Sequence, residues 1–419
     1  MIRLLYSFLL TCISPFLLYS LYKKKEGKPA FGSRWKEHFG FTPKLKGNPY
    51  PVWIHAVSVG EAIAATPIIK ALKEQNPNQP ILVTTTTSTG AEQIEKLGDL
   101  VEHRYMPIDF CFAVRSFLKA TKPEKLLIME TELWPNTLHT VAKFGIPISV
   151  LNARLSEKSY LGYKKVQPLF NLLGRHLTHV CCQYQDDADR FIALGIDESR
   201  VHVTGSVKFD IEINEQILTS GQELRGLLGN ERPIWVAAST HKGEDEQVLA
   251  SHQELLQTIP DALLILVPRH PERFNSVFEL CKNSGFNCIK RTSNKIIAAD
   301  TQVYLGDTMG EMLTLIGASD VCFMGGSLLG SKVGGHNILE PAALGKVILS
   351  GPSYYNFLEI CTLMQKKELL TIISNKKTLS SSLLNYFTYP ALIKSNKQDM
   401  TSFMNENRGS IERSISIIL

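Results

Sequence analysis

The chain has 419 residues, of which 44% are hydrophobic, so it is long enough for two or three globular domains with ordinary cores. The formal charge of +5 is a mild excess spread along the chain without a nucleic-acid-binding motif, which argues against RNA or DNA as a partner. The eight cysteines form no CxxC pair and mostly stand in apolar segments, which indicates free thiols of a reducing compartment and excludes disulfide-rich and zinc-ribbon classes.

The N-terminal segment, residues 1–22, is mostly apolar, with Arg3 as its one early charge, and three lysines follow at 23–25. A cleaved signal peptide has a shorter apolar core and a small-residue cleavage site, so the segment predicts a membrane anchor. The lysines that follow it place the main body on the cytoplasmic side. Pro15 leaves open a bent helix that lies in one leaflet without spanning the bilayer.

Beyond residue 50, apolar segments typical of buried strands alternate with helical patterns. In chain order the strand-like segments are 52–58, 81–87, 125–131, 146–154, 201–209, 234–240, 262–269, 302–307, 321–326 and 346–351. The alternation predicts βα units around parallel sheets, and a polar stretch at 210–233 interrupts it. The predicted fold class is therefore α/β, with two doubly wound domains.

The domain boundaries follow from the same patterns. They are a membrane anchor at 1–22, an N-terminal domain at 23–210, a linker at 211–230, a C-terminal domain at 231–395 and a helical tail at 396–419. Ligands of such domains bind at the carboxyl ends of the strands, and the cleft between two facing domains is the expected site.

The first strand-to-helix turn joins an apolar strand to a helical pattern that runs from Ala62 to Leu72. Such a turn usually presents backbone N–H groups to an anion, yet Gly60 is followed here by Glu61, a carboxylate of the chain itself. Taken alone, Glu61 is explained as a first-turn acid that the helix dipole favours.

The segment GGSLLGSKVGGHNILEP contains two glycine pairs, 325–326 and 334–335. The first pair follows a strand, where backbone N–H groups can approach a phosphate closely, and the second leads into a helix whose N-terminus favours anions. Glu340 lies one turn into that helix, where it can accept hydrogen bonds from sugar hydroxyls. The pattern favours a nucleotide site; the alternative is that the glycines only form tight turns and Asn337 only caps the helix.

Other predicted strand ends carry side chains suited to phosphate, sugar or proton-transfer chemistry. An arginine forks onto anionic oxygens, helix-opening N–H groups contact a phosphate or base, and paired carboxylates that alternate along a strand face one way. The alternatives are surface ion pairs, first-turn acids and solvated lysine. The arginine is Arg269, with His270 beside it, and the helix-opening residues are Gly310 to Met312. The paired carboxylates are Glu130 and Glu132, and the lysine is Lys208.

Asp186 and Asp187 resemble a carboxylate metal site, but they open a predicted helix, where acids are favoured by the dipole. No strand-end DxD and no His/Cys cluster stands elsewhere in the sequence. The sequence therefore predicts no metal and no cofactor.

Together these motifs resemble one family closely, the 3-deoxy-D-manno-octulosonic acid (Kdo) transferases of Gram-negative bacteria. The resemblance runs in order along nearly the whole chain, from the anchor with its basic flank to about residue 365. The matching segments are HAVSVGE, TTTTSTG, METELWPN, NARLS, TGSVKFD, PRHPERF, MGGSL and GGHNILEPA.

The resemblance implies an inverting, metal-independent GT-B glycosyltransferase with two doubly wound domains facing across a cleft. The donor would be CMP-Kdo, bound by the C-terminal domain. The acceptor would be the lipid A precursor lipid IVA, a phosphorylated and acylated disaccharide, bound by the N-terminal domain at the cytoplasmic side of the inner membrane. The partners would then be donor, acceptor and inner-membrane lipid.

The resemblance also assigns roles to residues. The glutamate of the family's SVGE motif is the general base, which corresponds to Glu61, and Gly60 is expected to let the chain turn sharply and leave this side chain facing the cleft. The transition-state stabilisers correspond to Glu130 and Lys208. The CMP contacts correspond to Arg269, His270, Gly310, Glu311, Met312, Asn337, Ile338, Leu339 and Glu340, beside Gly325 and Gly326.

Two other functions remain open from the sequence. A GT-B enzyme that uses a UDP-sugar would share the fold and the glycine-rich loops, and thermal protection by CMP or by UDP would separate the two. A non-enzymatic two-domain binding protein would also show βα halves, but it would normally be exported, and the lysines after the anchor argue against export.

Overall fold

A computed structural model of the chain describes residues 2–23, 29–47 and 50–419. The chain divides into two compact units. Unit 1 comprises the described residues up to Asp210 together with Asn407–Leu419, and unit 2 comprises Ile211–Glu406.

Each unit is built around a parallel β-sheet. The strands of unit 1 are β1 Val52–His55, β2 Ile81–Thr85, β3 Glu102–Tyr105, β4 Lys125–Met129, β5 Ile148–Ala153, β6 His179–Cys182 and β7 Val201–Val203. Those of unit 2 are β8 Ile234–Thr240, β9 Leu263–Pro268, β10 Cys288–Lys290, β11 Val303–Leu305, β12 Val321–Met324, β13 Val347–Ser350 and β14 Leu370–Ile372. The prediction of two doubly wound α/β sheets is confirmed, although the sequence pattern did not indicate β3, β6, β10 and β14.

Helices cover the sheets. In unit 1 they are α1 Ile2–Tyr22, α2 Val59–Gln75, α3 Ser88–Glu95, α4 Cys111–Thr121, α5 Pro135–Lys143, α6 Glu157–Lys165, α7 Gln167–Gly174 and α8 Gln185–Ala193. In unit 2 they are α9 Glu215–Leu228, α10 Asp245–Leu256, α11 Phe274–Asn283, α12 Met312–Gly317, α13 Leu339–Ala343, α14 Leu358–Lys366, α15 Lys376–Thr388 and α16 Pro390–Asn407. The last helix, α17 Ser410–Ile418, belongs to unit 1. A 3-10 segment at Gly32–Phe39 and a 3-10 turn at Val207–Phe209 also belong to unit 1.

The strand order places a switch point in each sheet. The orders are β3-β2-β1-β4-β5-β6-β7 and β10-β11-β9-β8-β12-β13-β14. Connections leave in opposite directions on either side of the β1–β4 pair and of the β8–β12 pair. In an open parallel sheet this leaves a crevice beyond the carboxyl ends of those strands, where ligands bind.

The central strands are apolar without alternation because helices cover both faces of a parallel sheet. Trp53 and Ile54 of β1 and Trp235 and Val236 of β8 are fully buried, although neighbouring residues point to opposite faces. All eight cysteines are free, and Cys181, Cys182, Cys281, Cys322 and Cys361 are buried, as expected of structural thiols.

The ends of unit 2 differ from the predicted linker and tail. Residues 211–230 contain α9, whose Arg225 Nη1 pairs with Asp320 Oδ2 at 3.0 Å within unit 2. The tail predicted at 396–419 is divided, since α17 belongs to unit 1. There Asp210 accepts the backbone N–H groups of Gly409 and Ile411 at 2.6 and 2.7 Å.

Among the described residues, α1 is the helix long and apolar enough to cross a membrane by length and composition. It runs unbroken through Pro15. Lys24, Lys25 and Lys28, part of the basic flank, lie outside the described residues.

Candidate active site

The turn after β1 holds a buried carboxylate. Ser58 caps α2, and its hydroxyl oxygen accepts the amide N–H of Glu61 at 3.3 Å. In return the Ser58 hydroxyl donates to Glu61 Oε1 at 2.8 Å, and the amide of Val57 donates to Oε2 at 2.8 Å. The side chain of Glu61 is thereby held at the carboxyl edge of the sheet, beside the switch point, with the residue only 6% exposed.

Burial raises the pKa of Glu61 to about 7. The hydrogen bonds from Ser58 and Val57 oppose this rise because they favour the charged form, and the carboxylates of Glu130 and Glu132 reinforce it. A carboxylate with this pKa is substantially ionised near neutral pH and still basic enough to take a proton. That combination suits a general base.

The geometry of the turn corrects the expectation for Gly60. This glycine lies inside the first turn of α2, and it is not among the described residues with positive φ. The capping pair of Ser58 and Glu61 therefore sets the direction of the carboxylate, and no sharp turn at Gly60 is involved.

The turn after β4 brings two more carboxylates to the switch point. The sequence pattern suggested that Glu130 and Glu132 share one face of a strand. This is wrong, because β4 ends at Met129, before both residues. Glu130 instead has φ +58°, and its amide donates to the carbonyl of Leu151 at 2.9 Å. A non-glycine residue in this conformation is strained, and such strain concentrates at functional sites.

Lys208 lies beyond the end of β7, in the Val207–Phe209 turn and not on a strand as predicted. Its side chain is exposed. The amide of Val207 donates to Asn152 Oδ1 at 3.2 Å, so this turn is held by a fully buried residue with φ +53°. The sequence analysis did not single out Asn152, although it stands in the NARLS segment.

In unit 2 the amides after β12 are occupied by a buried carboxylate of the chain. Glu244 is fully buried, and it accepts the N–H groups of Gly326 at 2.7 Å and of Ser327 and Leu328 at 3.0 Å each. The amide of Gly325 donates to the carbonyl of Ala238 at 2.8 Å. The expectation that the amides of the first glycine pair face a phosphate is therefore wrong in this structure.

These two glycines are required by close packing. A Cβ at Gly325 would lie 2.7 Å from the carbonyl oxygen of Ser239, and one at Gly326 would lie 2.8 Å from the His336 ring. Gly326 also has φ +69°. The sequence analysis missed Glu244. The signal that could have found it is a carboxylate that comes shortly after the end of β8, three residues after His241.

Arg269 and His270 stand just after β9, both exposed. The His270 ring lies 5.3 Å from the ring of His241, whose Nε2 is 2.8 Å from His336 Nε2. Burial lowers the pKa of His336 to about 4, with His241, Arg269 and His270 adding to the effect. The structure thus gathers positive and neutral nitrogen groups at this edge, and the sequence pattern did not indicate His241 or His336.

Asn337 and Glu340 are joined by a hydrogen bond from Asn337 Nδ2 to Glu340 Oε1 at 3.2 Å. Asn337 Oδ1 also accepts the amide of Leu339, which begins α13, so the capping alternative describes part of its role. Burial raises the pKa of Glu340, while Asn337 and Arg269 oppose the rise. Arg269, although distant in sequence, is therefore near enough to lower the pKa of Glu340 at this edge.

The segment before α12 is tied to a neighbouring arginine. Glu311 Oε1 pairs with Arg291 Nη2 at 2.9 Å, which lowers the pKa of Glu311. Gly310, with φ +85°, precedes it, and Met312 begins the helix. Ile338 is buried beside α13.

Asp187 has a structural partner. Its Oδ1 accepts the amide of Leu155 at 2.7 Å and lies 3.8 Å from Arg190 Nη1. Asp186, exposed at the start of α8, lies 3.8 Å from the same guanidinium. These contacts agree with helix-opening acids paired to a cation one turn later.

Comparisons with known proteins agree with the motifs. The family described as 3-Deoxy-D-manno-octulosonic-acid transferase (kdotransferase) matches residues 33–211. The chain is 37% identical over 426 residues to the 3-deoxy-D-manno-octulosonic acid transferase of Haemophilus influenzae. The matched region covers 99% of this chain and 98% of that protein. It is 31% identical over 405 residues to a probable mitochondrial 3-deoxy-D-manno-octulosonic acid transferase of Arabidopsis thaliana, over 94% of this chain and 90% of that protein.

Among solved structures, UDP-GlcNAc 2-epimerase from Neisseria meningitidis resembles the chain with a TM-score of 0.56 at 13% identity, over 88% of this chain and 99% of that one. Likeness at this identity concerns the fold alone, and it agrees with a GT-B-type pair of doubly wound sheets. The chain belongs to the 3-deoxy-D-manno-octulosonic acid transferase family and is a Kdo-transferring glycosyltransferase of lipopolysaccharide biosynthesis.

Proposed function

We propose that the enzyme transfers Kdo from CMP-Kdo to lipid IVA, the lipid A precursor, with inversion and with Glu61 as the general base. The observation that carries this proposal is the buried carboxylate of Glu61, whose pKa is about 7, at the switch point of unit 1. The family membership supplies the transferred sugar.

The chemistry is a single displacement. Glu61 takes the proton of the acceptor's primary hydroxyl as the oxygen attacks the anomeric carbon of Kdo. The bond from that carbon to the phosphate oxygen breaks, and CMP leaves with both electrons. One displacement at one carbon inverts its configuration.

Two further groups of unit 1 act on developing charge. Glu130 adds to the rise that burial causes in the pKa of Glu61, and it faces the positive charge that builds up on the sugar during bond breaking. Lys208 balances the carboxylate of Kdo or the departing phosphate. Its place in a turn held by Asn152 supports this role, because a charge acts best where its position is set in advance.

The donor is held by unit 2. Arg269 and His270 bind phosphate oxygens, the chain at 310–312 and 337–339 contacts the nucleotide, and Glu340 accepts hydrogen bonds from the ribose. The electrostatic effect of Arg269 on Glu340 supports a shared site for these two residues. Calorimetric titration of Arg269→Ala with CMP tests the assignment, and an unchanged affinity would contradict it.

The enzyme works at the cytoplasmic face of the bacterial inner membrane. The apolar helix α1, with the positive charge of Lys23 after it, supports attachment to a membrane surface that carries anionic lipid. Co-sedimentation with vesicles of inner-membrane lipid tests it, and protein that stays in the supernatant at low salt would contradict it.

The test of the base is Glu61→Gln, which keeps the size of the side chain but cannot take the proton. We expect Kdo transfer, followed by mass spectrometry of the lipid, to slow by about 10²–10⁴-fold. CMP affinity should stay within a few-fold, because the change lies in unit 1. Glu92→Gln, an exposed glutamate of α3, is the matched control. Near-normal turnover of Glu61→Gln would remove this residue from the mechanism.

A further inference from the structure

The apolar helix α1 is bonded to unit 1 near both of its ends. Near its start, the hydroxyl of Tyr6 donates to Asp109 Oδ2 at 2.9 Å. Near its end, the hydroxyl of Tyr22 lies 2.8 Å from His38 Nδ1. The helix is about 32 Å long at 1.5 Å per residue, so it lies along unit 1 over nearly its whole length.

This docking is incompatible with a helix that crosses the bilayer away from the body of the protein. A crossing would carry one end to the far side and would break the bonds of Tyr6 or of Tyr22. The side of α1 that faces away from the rest of unit 1 exposes large apolar side chains, among them Leu4, Leu5, Phe8 and Phe16. An apolar face on a docked helix is typical of a helix that lies in one leaflet.

Between α1 and the rest of unit 1 lies a cavity of about 1160 Å³, here named the α1 cavity. Most small-molecule sites have about 300–1,000 Å³, so this one suits a large ligand. Its walls are mainly apolar, which favours hydrocarbon over a sugar or a nucleotide. The side chains that define its character are Leu10, Leu18, Leu21, Phe31, Phe39 and Phe110.

The wall of the α1 cavity contacts one carboxylate of the candidate active site. Trp134 lines it, and the indole Nε1 of this residue donates to Glu132 Oε2 at 3.2 Å. Glu132 is in turn near enough to raise the pKa of Glu61. The polar residues 86–89, which follow β2 beside β1, line the same cavity. One ligand would thus place its apolar part against the hydrocarbon walls and its polar part beside Trp134 and the carboxylates next to it.

We propose that the α1 cavity receives acyl chains of the lipid acceptor, which enter from the single leaflet in which α1 lies. The inference rests on the proposed function, which supplies an acylated sugar as acceptor. Bulk phospholipid offers the same hydrocarbon but has no sugar hydroxyl to bring to Glu61. The contact between Trp134 of the cavity wall and Glu132 therefore favours the acceptor as occupant.

The first test measures binding without donor or turnover. Bromine on acyl chains quenches tryptophan fluorescence on contact, and Trp134 lies in the cavity wall. The full chain in detergent micelles is titrated with lipid IVA that carries brominated acyl chains, and the emission of the Trp134→Phe variant is subtracted. We expect the Trp134 component to be quenched by this acceptor and not by brominated phosphatidylethanolamine at the same concentration.

The second test fills the cavity. Ser14→Phe places a ring at a position of α1 that lines the cavity, and Ile13→Phe places the same ring at an exposed position that does not line it. We expect Ser14→Phe to raise KM for lipid IVA about tenfold, since excluding two methylene groups changes affinity by that order. Its kcat and its CMP affinity should stay near the wild-type values, and Ile13→Phe should match the wild type in all three.

The outcomes separate the two proposals. No quenching of Trp134 by the brominated acceptor, or equal quenching by the brominated phospholipid, would overturn the inference. Equal KM values for Ser14→Phe and Ile13→Phe would also overturn it. Wild-type protein that binds the brominated acceptor but transfers no Kdo to it would overturn the proposed function, since the quenching is measured without donor.

Discussion

The Ser58 hydroxyl and the Glu61 carboxylate hold one another in place at the first turn of α2. The hydroxyl oxygen accepts the amide of Glu61 at 3.3 Å, and the hydroxyl donates to Oε1 at 2.8 Å. The same contact that caps the helix therefore favours the ionised carboxylate. Burial and the two neighbouring glutamates act in the opposite direction, and the pKa of about 7 is the balance.

Removing the Ser58 hydroxyl should shift the pH dependence of catalysis. The base acts when ionised, so kcat/KM should fall as the pH drops below about 7 in the wild type. In Ser58→Ala the carboxylate loses a donor, and the acid limb should move up by about one pH unit. Ser58→Thr keeps the hydroxyl and is the control. A pH profile of Ser58→Ala that overlies the wild type would show that Glu61 does not set the limb.

The raised pKa of Glu61 also makes stability depend on pH. The folded pKa of about 7 lies above the ordinary 4.5, so the folded state binds the proton more tightly between these values. The resulting stabilisation is present below about 4.5 and is lost as the pH rises through about 7. Relative to Glu61→Gln, the wild type should therefore lose about 2–3 kcal/mol of unfolding free energy between pH 5 and 8. Urea titrations across this range measure it, and a constant difference would contradict the assignment.

Glu244 should be essential for the fold of unit 2. Its carboxylate accepts four backbone N–H groups, those of Gly326, Ser327 and Leu328 and that of His241 at 3.0 Å. Glu244→Gln replaces one accepting oxygen by an NH₂ group, which leaves buried donors unpaired. We expect a loss of about 3 kcal/mol in urea unfolding, together with weaker CMP binding. Glu246→Gln, on the exposed side of α10, should change neither.

Alanine at Gly326 and at Gly330 should separate crowding from backbone strain. Both glycines have positive φ, +69° and +61°, so alanine costs about 1–2 kcal/mol at either position. A Cβ at Gly326 also meets Val333 and His336 at 2.8 Å, whereas nothing lies within 4 Å of one at Gly330. The free energy of unfolding of Gly326→Ala should therefore be about 1–3 kcal/mol lower than that of Gly330→Ala, as for an overpacked core. Equal unfolding free energies would refute the packing account.

Transfer activity should survive exhaustive treatment with EDTA. In the proposed mechanism the leaving phosphate is stabilised by cationic side chains such as Arg269, so chelation removes no group that acts on it. The measurement compares initial rates before and after chelation, with lipid IVA as acceptor. Abolished activity that Mg²⁺ restores would contradict the metal-independent proposal.

Local sequence patterns determined the fold class and most of the strands. Apolar segments such as 234–240 form buried strands because helices cover both faces of a parallel sheet, and that property leaves a continuous apolar signal. The edge strands β3, β10 and β14 left no continuous apolar signal, because most of their residues are only partly buried. The motif segments likewise identified Glu61, Arg269 and Glu340 as candidates before any contact was known.

Only the tertiary structure decided what those residues contact. The pKa of Glu61 depends on burial and on carboxylates about 70 residues away in the chain, which no local pattern contains. The sequence predicted that the amides after β12 are open to a phosphate. In the folded protein they donate instead to the carboxylate of Glu244. The length and apolarity of α1 indicated a membrane helix, but only its bonds to Asp109 and His38 show that it lies along unit 1. Burial and long-range hydrogen bonds are non-local, and for that reason the site's electrostatics are set by the fold.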